Sequence, residues 1–79
     1  MAKTELKIIE KIISGSICII VNSQYNNLNA VNVTIEKNLT VRLFGIIKRQ
    51  LIIKKGALVH LHGAVLGNIK NLGGELHIY

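Results

Sequence analysis

Apolar and polar residues alternate along most of this chain, and between positions 33 and 68 the alternation repeats every 18 residues. Written as two lines, VTIEKNLTVRLFGIIKRQ falls on LIIKKGALVHLHGAVLGN. Val33 then meets Leu51, Ile35 meets Ile53, Lys37 meets Lys55, Val41 meets Val59, Leu43 meets Leu61, Gly45 meets Gly63 and Ile47 meets Val65. A partial third copy, NLGGELHIY, follows at a spacing of 17, setting Gly73 on Gly56, Leu76 on Val59 and Ile78 on Leu61. A short period rich in β-branched residues and punctuated by glycine predicts an all-β chain whose coils stack as a β-solenoid of three to four coils. Such a coil buries its faces only against a neighbour, so the repeats must fold together.

The predicted strands are the alternating runs Val31-Val33-Ile35, Leu39-Val41-Leu43, Leu51-Ile53, Val59-Leu61 and Leu76-Ile78. Turn signals separate them at Glu36-Lys37-Asn38, Lys48-Arg49-Gln50, Lys54-Lys55-Gly56, Gly67-Asn68 and Gly73-Gly74. Gly45 and Gly63 follow strands of the same phase, where each coil needs a residue that accepts positive φ. An up-and-down antiparallel barrel would also give short strands and turns, but would not make glycine, lysine and apolar positions recur in one register. Residues 1–32 carry no visible repeat, so the single domain, 1–79, divides into an irregular amino-terminal coil with an Asn-rich loop and the repeats of 33–79. Within 3–13, Leu6, Ile9 and Ile13 fit a helical stripe between a Thr4 cap and Gly15, but the β-branched Ile8, Ile9, Ile12 and Ile13 favour a strand. NSQYNNLNA, residues 22–30, is expected to be a loop or wide corner.

The register also places side chains. Val41 and Leu43, Val59 and Leu61, and Leu76 and Ile78 point inward, and the residues between them point outward in two columns. One column is Arg42, His60 and His77; the other is Phe44, His62 and Tyr79. Coils about 4.8 Å apart make these contact ladders.

Seventy-nine residues hold one domain and a core of marginal size. Cys18 is the only cysteine, which excludes an internal disulfide and fits a reducing cytoplasm. Association is then the expected supplement to stability. The hydrophobic share of 49% and the absence of proline exclude a disordered chain. Ten Lys or Arg against four Glu give +6, favouring an acidic partner, a membrane surface or nucleic acid. The basic residues are dispersed, as in a solvated exterior that keeps an apolar solenoid soluble. The longest apolar stretch, Ile12 to Val21, is broken by Ser14-Gly15-Ser16 and is too short for a bilayer helix. It also makes a poor signal peptide, so the chain is expected to be cytoplasmic.

At GALVHLHGAVLGNI, residues 56–69, the chain resembles the bactofilins, polymer-forming bacterial cytoskeletal β-helix proteins. Their coils repeat an apolar residue, Gly, a β-branched residue and a second Gly. Gly63, Val65, Gly67 and Ile69 match that pattern; Gly45 and Ile47 match its first half, with Arg49 at the place of the second glycine. The resemblance covers about half the chain. It implies a right-handed triangular β-helix that polymerises end to end without nucleotide. Bactofilin cores contain more coils than this chain can supply.

Chemistry is sparse. His60 and His62 share one strand face and His77 stacks over His60, so three imidazoles could converge on Zn²⁺ with water in the fourth position. No Asp or Cys joins them and carboxylates are few, so the histidines are read as an exposed ladder, without metal or cofactor. A chain without Asp lacks the usual orienting member of a nucleophilic triad, and Glu36 and Glu75 lie on different turns. Cys18 alternates with Ile17 and Ile19 and faces outward. Gly73-Gly74 is followed by neither the helix nor the lysine of a phosphate loop. The expected function is therefore non-enzymatic protein–protein contact, most simply stacking on copies of the same chain. Leu76, Ile78 and the Arg42-His60-His77 and Phe44-His62-Tyr79 columns would be its contact residues, because the strand Glu75 to Ile78 presents an edge with no charged cap. The alternative is a small immunity- or antitoxin-like inhibitor of a cognate toxin. Nucleic-acid binding has less support, because Tyr25, Phe44 and Tyr79 form no regular stacking platform for bases.

Overall fold

Parallel pairing runs through the whole architecture. A computed structural model describes residues 7–10 and 12–79. It contains seven strands: β1 (Lys7–Ile9), β2 (Ile13–Ile19), β3 (Ser23–Ile35), β4 (Thr40–Ile53), β5 (Leu58–Val65), β6 (Asn68–Asn71) and β7 (Glu75–Ile78). β1 and β2 pair with the two ends of β3, β3 pairs with β4, β4 pairs with β5 and β6, and β5 pairs with β7. The chain is thus a β-solenoid of about four coils, β1-β2, β3, β4 and β5-β6, with β7 opening a further one. No helix occurs among the described residues.

The 18-residue register is the pairing register. Val33 pairs with Leu51 and Ile35 with Ile53, then Val41 with Val59, Leu43 with Leu61, Gly45 with Gly63 and Ile47 with Val65. The carboxyl-terminal copy sets Leu76 on Val59 and Ile78 on Leu61. Inward positions form columns through the coils: Tyr25-Leu43-Leu61, Val33-Leu51 and Ile19-Ile35-Ile53, all buried except the half-buried Tyr25. Each fully buried Leu or Ile contributes about 1.5–3 kcal/mol relative to exposure. Ser23 is the one buried polar residue described, and its Oγ donates to the Val21 carbonyl at 2.9 Å, so no orphan hydroxyl remains.

Corners are stacked as strictly as strands. Asn38 and Gly56 have φ of 61° and 79°, and Asn38 donates its N–H to the Lys55 carbonyl of the next coil. Gly56 in turn donates to the Gly73 carbonyl. The left-handed conformation is therefore inherited from coil to coil, with Asn or Gly at the positions that tolerate it.

The amino-terminal third departs from expectation. Residues 22–30 are not a loop: β3 runs from Ser23 to Ile35, and the turn lies earlier, at 20–22. Nor are residues 1–32 irregular where they are described, since Lys7 pairs with Ser23 and Ile17 with Val33. Those spacings are 16, and bulges interrupt the register at Gly15/Ser16, between Tyr25 and Leu28, and between Ala30 and Asn32. Asn26 and Asn27 occupy the second bulge and bend the strand without ending it. For 3–13, Lys7–Ile9 is a strand and Ile13 opens β2; residues 3–6 and 11 lie outside the described residues.

Candidate interaction surface

One flat face of the solenoid is built by β1, the start of β3, the start of β4, β5 and β7. Its outward residues alternate with the buried columns, so each coil adds one rung. The first outward column runs Ile8, Gln24, Arg42, His60, His77. The second contains Phe44, His62 and Tyr79. Both columns expected from the sequence are present, Arg42 by register and the rings by contact. Phe44 and His62 stack with ring centroids 4.5 Å apart and planes 9° apart. His62 and Tyr79 stack at 4.5 Å and 8°. His60 and His77 stack at 5.5 Å and 18°, and the Tyr79 hydroxyl lies 2.9 Å from His60 Nδ1, tying the columns together. His77 Nε2 lies 3.6 Å from a Glu75 carboxylate oxygen. Spacing this close to the strand repeat explains the parallel rings: the backbone sets the rung distance and flat side chains fill it.

These rings stack instead of converging. Among the described residues no group of three His, Cys, Asp or Glu is placed to hold a metal ion. The His60 imidazole is held below its ordinary protonation range by burial, and next by the neighbouring His77, Arg42 and His62.

Two further outward features cross the coils. Ser16, Asn32, Gln50 and Asn68 form a polar column on the face of β2, the end of β3, the end of β4 and β6, with Asn32 Nδ2 donating to Ser16 Oγ at 3.1 Å. Glu36 bridges Lys54, at 2.9 Å, and Cys18, whose Sγ lies 3.5 Å from the same oxygen. The hydrogen bond from Lys54 lowers the Glu36 carboxyl, and burial, then Glu36, raises the Cys18 thiol. A raised, exposed thiol beside a carboxylate is a poor nucleophile.

The lower end is where the inward columns come into the open. Leu76 is half-buried, while Ile78 is 55% exposed although it continues the fully buried Leu43-Leu61 column. The inward expectation holds for the direction of Ile78 but not for its burial, because β7 pairs on one side only among the described strands. Ile69 extends the Val33-Leu51 column and is 42% exposed; Leu66 and Leu72 beside it are exposed as well. Ile69, Leu66 and Leu72 are not among the contact residues expected from the sequence. The signal for Ile69 was its 18-residue spacing from Leu51. A shallow depression of about 260 Å³ on this side, lined by Gly56, Ala57, Leu58, Gly73, Gly74 and Glu75, offers a single titratable group.

No helix of the described residues is long and apolar enough to cross a membrane. Comparison with known proteins finds no family model, no curated protein and no solved structure that matches the chain.

Proposed function

We propose that this protein is a non-enzymatic interaction module, a bactofilin-like scaffold that stacks end to end on copies of itself. The observation that carries the reading is the exposure of Ile69 and Ile78 at the foot of columns that are otherwise buried. The same columns begin at the upper end with Ile17 and Ile9. A copy placed below would set its Ile9 under Ile78 and its Ile17 under Ile69. It would also bring Ile20, 70% exposed, to Leu72, 49% exposed, because these two occupy equivalent positions beside Ile19 and Asn71. Lower-edge backbone groups of β6 and β7 would gain strand partners at the same step. A contact between unlike ends does not close on itself and yields an open row of subunits. The single cysteine fits a reducing, cytoplasmic setting for such a row.

Light scattering across a concentration series, with negative-stain imaging of the largest species, tests the proposal. Mass that climbs in whole subunits, with linear particles, is the expected result. A strict monomer at the highest concentration overturns it and favours the toxin-inhibitor alternative, with a different protein on the lower edge or on the Phe44-His62-Tyr79 face.

A further inference from the structure

The imidazole ladder does more than fill the gap between coils. We infer that it is an acid-sensitive latch, through which protonation releases β7 from β5 and opens the last rung of the solenoid. The inference concerns a single, unstacked chain and does not rest on copies stacking.

β7 is a four-residue strand at the edge of the sheet, paired on one side only. Its Glu75 N–H donates to the Ala57 carbonyl at 2.8 Å, and the N–H of Tyr79, just beyond it, to Leu61 at 2.9 Å. Beyond the half-buried Leu76 and the 55% exposed Ile78 beneath Leu61, its side-chain attachment is the ladder: His77 on His60, and Tyr79 on both His60 and His62. A strand held this way has little stability of its own.

His60 is the pivot. Arg42 on β4 lies on one side of it in the register and His77 on β7 on the other, while His62 is two residues away on β5. Phe44 on β4 is the remaining ring of the face and is uncharged. Glu75 and Tyr79 are the other groups that face the cluster from β7. His77 Nε2 lies 3.6 Å from a Glu75 carboxylate oxygen, and His62 is held between the ring faces of Phe44 and Tyr79. His60 has no carboxylate against it among the described residues; its one polar side-chain partner is the neutral Tyr79 hydroxyl, 2.9 Å from Nδ1. A proton there must be held in a partly desolvated site next to the Arg42 guanidinium, with the His77 ring 5.5 Å away. In the closed ladder its protonation range is therefore depressed, first by burial and then by these neighbours. In the opened strand it returns towards the ordinary 6.5. The open form thus binds the extra proton. The closed form is fully favoured above that value and loses its advantage as pH falls below it. Opening carries His77 and Tyr79 away and relieves the crowding.

Backbone hydrogen exchange on the full chain, corrected for intrinsic rate, reads the latch directly. Protection of the amides of 75–79 is expected to fall about tenfold per pH unit below the ordinary imidazole range, one proton being coupled to opening. Amides of 47–53 in β4 should keep theirs, which separates the latch from global acid unfolding. His60→Gln keeps a polar group beside Tyr79 but cannot charge, and should flatten the dependence. If His60→Gln already loosens β7 at neutral pH, His60→Phe, which keeps a flat ring in the ladder but cannot take a proton, makes the same test. The latch is overturned by β7 protection that is indifferent to pH, by equal loss across all coils, or by a dependence that survives in both variants.

Discussion

Gly63 sits so close over Gly45 that a β-carbon on Gly63 would overlap the Gly45 carbonyl oxygen. The two have φ of 157° and 146°, and Gly45 stands in the same way against the Leu28 carbonyl. Glycine is required here twice over, by torsion and by the approach of one coil to the next. Gly15 separates the two requirements: its φ is 77°, yet a β-carbon there would meet open space.

Gly63→Ala should therefore cost more than Gly15→Ala in urea-denaturation midpoint. Backbone strain alone is worth about 1–3 kcal/mol at either position. Only Gly63→Ala adds a collision with backbone that cannot swing aside, and it is expected to leave little folded protein at room temperature. Equal midpoints would mean that the coils can separate locally to admit a methyl group.

Leu61 and Ile78 occupy successive rungs of one column with opposite exposure, 0% and 55%. Leu61→Ala is expected to destabilise by about 2–5 kcal/mol, because it leaves a cavity closed on all sides. Ile78→Ala should change the monomer's stability by less than about 1 kcal/mol, in line with the smaller area it buries. Thermal melts of both variants at a concentration that keeps the wild type monomeric make the comparison.

That column also marks how much was legible in the sequence. From Val33 onward the coils keep spacings of 17 or 18, so like residues fall on like residues, and the outward ladders of Arg42-His60-His77 and Phe44-His62-Tyr79 follow by alternation. Upstream, β1 and β2 lie only 15 or 16 residues from their partners in β3, and bulges at Gly15/Ser16 and on either side of Leu28 change the phase, which hides the repeat. Asparagine misled for a related reason. Asn32 stacks in an outward polar column against Ser16, and Asn26 reaches Glu10 with its side chain at 3.0 Å. In a solenoid, an outward amide can bond to the coil above, so Asn need not signal a loop. The exposed foot of the columns at Ile69 and Ile78 depends on which strand is last in the sheet, a fact of topology that periodicity alone does not carry.

The Glu36–Lys54 pair joins two coils at 2.9 Å, yet both side chains remain partly exposed to solvent. Glu36→Gln should produce no resolvable shift in melting temperature at physiological salt, since water and ions screen a pair of this kind. The carboxyl is lowered by Lys54, so whatever the pair contributes is present above the ordinary carboxylate range and is lost as pH falls through it. A large shift at neutral pH would show that the pair orders the corner it spans.

Proline substitutions in β7 separate attachment of the strand from docking on its free edge. Glu75 and Tyr79 point their N–H groups up at Ala57 and Leu61. By strand alternation, His77 also points up, while Leu76 and Ile78 point down, away from β5. His77→Pro removes a donor that holds β7 in place and should raise hydrogen exchange across 75–79 in the monomer. Ile78→Pro leaves the upward bonds intact, removes a downward donor and sets a ring on the free edge, where proline is tolerated. It should abolish concentration-dependent growth in mass while β5 and β7 keep their exchange protection. Ile78→Pro protein that still assembles as the wild type does would show that the lower edge of β7 is not the contact, and end-to-end stacking through that edge would have to be given up.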